Sequence, residues 1–89
     1  MATLKTLTIE ENVSEPVQIN GNNCAVRVTT TESATITVQR SIDNVNFSEI
    51  PELSLTVDGS DEFNLSDIVP GQYLRVHSSA EMTLCKILF

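Results

Sequence analysis

Tryptophan is absent from this 89-residue sequence, and tyrosine and histidine occur once each, as Tyr73 and His77. Without indoles, and with a single phenol, the chain lacks the flat aromatic platforms on which sugar-binding modules stack their ligands. The single histidine, on a strand face, reads as an exposed sheet residue rather than an isolated general base. The two cysteines, Cys24 and Cys85, have no second Cys or His at zinc-ligand spacing. Basic residues are scarce: five stand against twelve acids, for a formal charge of −7, and that sign opposes binding to nucleic acid. Long apolar runs are missing as well. The opening MATLKTLTIEENV alternates apolar and polar residues, so the expectation is neither a signal peptide nor a membrane span, and synthesis in a cytoplasm.

Motifs of catalysis are equally sparse. There is no Gly-x-Ser-x-Gly elbow, no phosphate loop and no obvious pair of catalytic carboxylates, so the chain is expected to be no enzyme and to need no cofactor. Three tripeptides, at Asn12, Asn46 and Asn64, match the glycosylation acceptor pattern. With no secretory signal they read as chance.

Strand patterns fill the space that these absences leave. No stretch of ten residues keeps a helical period, while short alternating segments recur between turn signals across the whole chain. Leu7 and Ile9 share a face, as do Val17 and Ile19. Cys24, Val26 and Val28 form one side of CAVRVTTT, and Ile36 and Val38 one side of TITVQRSI. NGNN at 20–23 reads as a hairpin turn. A strand from Phe47 to Ile50 is expected to stop at Pro51, which has no N–H for a ladder. Leu53, Leu55 and Val57 then share a side, Phe63 and Leu65 mark a short strand, and Pro70-Gly71 suits a type II turn. The expectation is one domain over residues 1–89, an all-β antiparallel β-sandwich of jelly-roll or immunoglobulin-like type, with seven to eight strands and little or no helix. Each cysteine lies within an apolar alternation, so buried reduced thiols are expected, a disulfide being the alternative.

SIDNVNFSEI, residues 41–50, admits three readings. As a calcium loop it lacks the glycine turn and the downstream bidentate glutamate, and DGSDE at 58–62 is equally well explained as a hairpin end. As an Asp-box turn it matches at Ser41 and Asp43 but lacks the glycine. As a hairpin it is consistent throughout: Asp43 and Asn44 take the turn, Asp43 and Asn46 cap backbone groups, Ile42 and Phe47 anchor the flanks, and Phe47 enters the core. No metal site is expected.

Two features point to contacts with other molecules. In YLRVHS, Tyr73, Arg75 and His77 fall on the face opposite Leu74 and Val76, and Tyr and Arg are enriched in interface hot spots. In MTLCKILF, Met82, Leu84 and Leu88 fall on one face and Cys85, Ile87 and Phe89 on the other. A strand that is apolar on both faces needs a second cover, either another subunit or a local loop or barrel corner.

ITVQRSIDNVNFSEIPEL, then PGQYLRVHS and a closing apolar strand, resembles the small β-sandwich proteins of tailed-phage virions, crAss-like gut phages among them: auxiliary capsid, decoration or head-fibre-base proteins. The likeness covers residues 35–89 and departs from the usual hairpin motif where Asn44 replaces glycine. It implies a non-enzymatic virion component, made in the host cytoplasm and bound as an oligomer or on a lattice to other virion subunits, the major capsid protein or a fibre protein. From the acidic charge and the missing apolar run, no nucleic-acid or membrane partner is expected. Tyr73, Arg75, His77, Met82, Leu84, Leu88 and Phe89 are the expected contact residues. An acidic soluble inhibitor or adaptor, and a carbohydrate-binding module, stand as alternatives.

Overall fold

The computed structural model describes residues 3–89, with residues 51 and 52 as backbone only. The described chain is all-β. Its strands are β1 (Leu4–Thr6), β2 (Ile9–Glu10), β3 (Val13–Ser14), β4 (Val17–Gln18), β5 (Cys24–Thr30), β6 (Ala34–Ser41), β7 (Ser48–Val57), β8 (Ser60–Leu65), β9 (Tyr73–Ser78) and β10 (Met82–Leu88).

All pairings are antiparallel. One sheet, A, runs β1-β10-β5-β8, and the other, B, runs β2-β3-β9-β6-β7 with β4 also on β9. Because β3 and β4 both pair with β9, they act as one strand interrupted around Glu15 and Pro16, where proline cannot donate to the ladder. With β3 and β4 counted as one broken strand and β2 as its antiparallel neighbour at the sheet edge, the molecule is a β-sandwich of four strands in sheet A and five in sheet B.

The core follows the alternation. Val26, Val28, Cys85 and Ile87 of sheet A meet Ile36, Val38, Leu74 and Val76 of sheet B, all nearly or fully buried. Burying each such aliphatic side chain favours folding by about 1.5–3 kcal/mol. Pro70 and Gly71 form the expected type II turn, with Gly71 at φ 96° and the Gln72 N–H donating to the Val69 carbonyl at 3.0 Å.

Several local expectations fail. NGNN is not a hairpin turn: residues 19–23 carry the chain from β4 in sheet B to β5 in sheet A. Pro51 does not end a strand, since β7 continues to Val57. The chain accommodates it on an edge strand by a register shift, with Glu49 opposite Gln39 and Ser54 opposite Thr37, which is where a ladder tolerates proline. The first apolar segment divides between sheets, β1 going to A and β2 to B, with Leu7 buried in the crossing.

The turns define two poles. Residues 11–12, 31–33, 58–59 and 79–81 meet at one end, tied by Ser78 N–H to Asn12 O at 2.9 Å, Thr30 N–H to Gly59 O at 2.6 Å and Thr31 N–H to Glu81 O at 3.1 Å. Loops 19–23, 42–47 and 66–72 meet at the other, where Ile68 N–H donates to Asn22 O at 3.2 Å and Ile19 N–H to Gln72 O at 2.9 Å.

Candidate partner-contact surfaces

Strand β9 lies inside sheet B, so its outward side chains sit mid-face. Tyr73, Arg75 and His77 do share that face, each half-buried, opposite the buried Leu74 and Val76. Arg75 is held there: its Nε donates to Gln39 Oε1, and its guanidinium lies 4.0 Å from the centre of the Phe47 ring. Phe47 is therefore outside the core, beneath the arginine, contrary to its expected place as a core plug. The register explains this, because Arg75 pairs with Gln39 near the end of β6 and Phe47 directly precedes β7.

Strand β10 carries the other expected contact residues, and the structure separates them. A register shift between Met82 and Leu84 turns Met82 inward, so it is 3% exposed in the core rather than on the face of Leu84 and Leu88. Phe89 packs against the core edge and pairs its backbone with Thr3. Leu84 and Leu88 remain outward, on sheet A. Leu88 lies between Leu4 and Ala25 in register, and with Lys86, Arg27 and Glu62 these residues line a shallow groove of about 290 Å³. The stripe on β9 and the row on β10 thus occupy opposite faces of the sandwich. Leu4 and Ala25 were not expected as contact residues. Their signal was their register beside Leu88, which strand order alone supplies.

The hairpin reading of residues 41–50 holds in its turn and fails at its flanks. The Asp43 carboxylate accepts from Ser41 Oγ at 2.8 Å, Val45 N–H at 2.9 Å and Asn46 N–H at 3.0 Å, while Ser41 Oγ accepts from Asn44 N–H at 2.9 Å. The N–H groups of Asn46 and Val45, followed by the Ser41 hydroxyl, hold the Asp43 carboxyl well below the usual carboxylate range. Asn44 takes the left-handed conformation at φ 61°, which asparagine tolerates. Ile42 anchors nothing, being 86% exposed.

At the same pole the sheets part into a cleft of about 670 Å³. Its apolar wall is Ile50 and Leu53 of β7 with Leu65, Ile68 and Leu74, and Arg40 and Asp67 bring opposite charges to its lining. The cleft has no aromatic in its lining. Phe63 and Phe89 pack against the core, Phe47 lies under Arg75, and Tyr73 is half-buried.

Cys24 and Cys85 are buried and free. Burial pushes Cys85 up to about 12, partly offset by a hydrogen bond with Ser14, and Cys24 up to about 11. Neither is a thiolate nucleophile at neutral pH. Among the described residues, no three His, Cys, Asp or Glu side chains are placed to share a metal ion, and no helix is long and apolar enough to cross a membrane. No model of a known protein family matches the chain, and no curated protein matches it either.

Proposed function

We propose that this chain is a non-enzymatic structural component of a phage virion that works by binding other virion subunits. The observation that carries the reading is the uncovered apolar row Leu4, Leu88 and Ala25 on the outer face of sheet A, with Leu4 63% and Leu88 43% exposed. An open apolar row rimmed by charged side chains, here Lys86, Arg27 and Glu62, favours a partner over solvent. The β-sandwich architecture is compatible with this role but does not specify it, because one fold serves many functions. The half-buried stripe of Tyr73, Arg75 and His77 supplies a second, polar contact on the opposite face. A subunit held on two faces suits a place between neighbours in a lattice, where weak contacts multiply.

Mass spectrometry of purified particles from the source tests the assignment, and the chain is expected among the virion proteins. Incorporation of a Leu88→Asp, Tyr73→Asp variant tests the surfaces. Both positions lie outside the core, so the variant is expected to keep a β-rich circular dichroism spectrum and to be lost from particles. A folded variant incorporated at the wild-type level sinks the assignment of these faces, and absence of the wild-type chain from particles sinks the virion reading.

A further inference from the structure

The pair Asn20-Gly21 does not make the hairpin expected of it, and the fold gives its glycine no other use. Of the three glycines, Gly59 and Gly71 adopt φ of 92° and 96°, which other residues rarely tolerate. Gly21 does not. Its φ is outside the left-handed region, and a Cβ built on it would meet nothing within 4 Å. What remains is chemical: a backbone nitrogen beside an unsubstituted Cα is the least hindered nucleophile that a chain offers to the side chain before it.

We propose that Asn20 is a site of spontaneous deamidation through a cyclic imide closed with the Gly21 nitrogen, and that its isoaspartate product unfastens the crossing loop from loop 66–72. The Gly21 nitrogen bonds to Asn20 Cγ, the Cγ–Nδ2 bond breaks, and Nδ2 leaves as ammonia with the proton that Gly21 gives up. Water then opens the ring. Opening at Cγ leaves aspartate, whereas opening at the backbone carbonyl leaves isoaspartate, in which the main chain runs through Cβ and Cγ. Neither route needs an oxidant, a reductant or an enzyme.

Three observations select this position among the seven asparagines. First, residues 20–23 are all exposed, so water reaches the ring. Second, ring closure needs the peptides around Asn20 to turn, and among the described residues neither Asn20 nor Gly21 makes a backbone hydrogen bond. The attacking N–H is free of the fold. Third, every other asparagine precedes a residue that carries a Cβ, and two are held besides. Asn44 precedes the β-branched Val45, whose N–H is bound by the Asp43 carboxylate at 2.9 Å, and Asn64 lies in the β8 ladder opposite Ala25.

The crossing is pinned on both sides of the site. Ile19 donates to Gln72 O at 2.9 Å and accepts from Gly71 N–H at 2.6 Å, while Asn22 O accepts from Ile68 N–H at 3.2 Å. An extra backbone carbon between these anchors lengthens the span, and the longest of the three bonds, at Ile68, is the one to give. Conversion also adds a carboxylate to a chain whose formal charge is already −7.

Incubation of the purified folded chain at mildly alkaline pH and body temperature, followed by tryptic mapping, tests the inference. Residues 6–27 leave as one peptide between Lys5 and Arg27, and fragmentation within it separates Asn20 from Asn22 and Asn23. Asn20 is expected to convert first, to aspartate and to isoaspartate that an isoaspartyl methyltransferase labels. Its rate is expected within about tenfold of that of the same chain in urea, because the fold leaves the site open. Stronger protection of Asn20, or earlier conversion of another asparagine, overturns the inference. Gly21→Ala demands no change of backbone, so it is expected to keep the amide NMR spectrum of the fold and to slow conversion at position 20 about tenfold or more. Equal rates would mean that the glycine is not the partner. In the isoaspartate product the Ile68 amide is expected to lose hydrogen-exchange protection while the Val76 amide keeps its own, and an Ile68 amide as protected as before refutes the unfastening. None of these outcomes bears on whether the chain is found in virions.

Discussion

The hydroxyl of Ser14 accepts the backbone N–H of Val76 at 2.8 Å in the buried interior of sheet B. It fills the position between the β3 and β4 ladders on β9, where the strand breaks before Pro16. Ser14→Ala strands that N–H, and leaving a buried donor unmet costs about 1–3 kcal/mol. At about 4–8 °C per kcal/mol for a domain of this size, the thermal midpoint is expected to fall clearly, and an unchanged midpoint would show that Val76 has another acceptor.

The Arg75 and Phe47 pair invites a double-mutant cycle. Both groups are partly solvated, so a coupling of about 0.5–1 kcal/mol between Arg75→Ala and Phe47→Leu is expected in urea unfolding. Strict additivity would mean that the guanidinium gains nothing from the ring.

Cys24 and Cys85 are expected to resist iodoacetamide at pH 8 in the folded protein and to give two adducts in urea without reductant. A lack of adducts in urea would reveal a disulfide. Their folded pKa values lie above the ordinary 9.0, at about 11 and about 12. The stability they contribute is therefore complete below pH 9 and is lost as pH rises through 11 and 12, when burial must yield to ionisation. Stability curves are expected to decline over that window, and Cys85→Ala is expected to shallow the decline.

Asp43 has the opposite sign. Its pKa is lowered on folding, so its contribution is present above the ordinary 3.8 and is lost as pH falls below it. The amide resonances of Val45 and Asn46 are expected to hold steady through pH 3.8 and to move only at lower pH. Asp43→Ala is expected to abolish the hydrogen-exchange protection of these two amides while leaving β9 protected. Titration of those amides at an ordinary carboxylate pKa would refute the bonding described.

The inward residues were legible because burial has a period of two. Cys24, Val26, Val28, Ile36, Val38, Leu74 and Val76 all point where alternation places them. The period fails wherever the ladder slips: Met82 lies beyond a register shift, and alternation counted back from Leu84 assigns it to the wrong face. Proline was over-read at position 51, since an edge strand makes no demand for the missing N–H. Aromaticity was over-read at Phe47, where an arginine from another strand provides the cover. The outward places of Tyr73, Arg75 and His77 on β9 and of Leu84 and Leu88 on β10 follow from local pattern, but their placement on opposite faces depends on strand order. Leu4 joins Leu88 only because the first strand pairs with the last.

Strand β10 sits in the middle of sheet A, between β1 and β5. During synthesis, β5 has emerged long before residues 82–88, and through that interval Val26 and Val28 have no neighbour on one side. Sheet A acquires its centre last, and β1 gains its only partner in the same step. Pairings of such long sequence separation make slow folders, and the open apolar strand is available meanwhile to other chains. The interval between making β5 and making β10 is therefore the time when this protein is most exposed to misassembly, and shortening the chain by its last strand would make that state permanent.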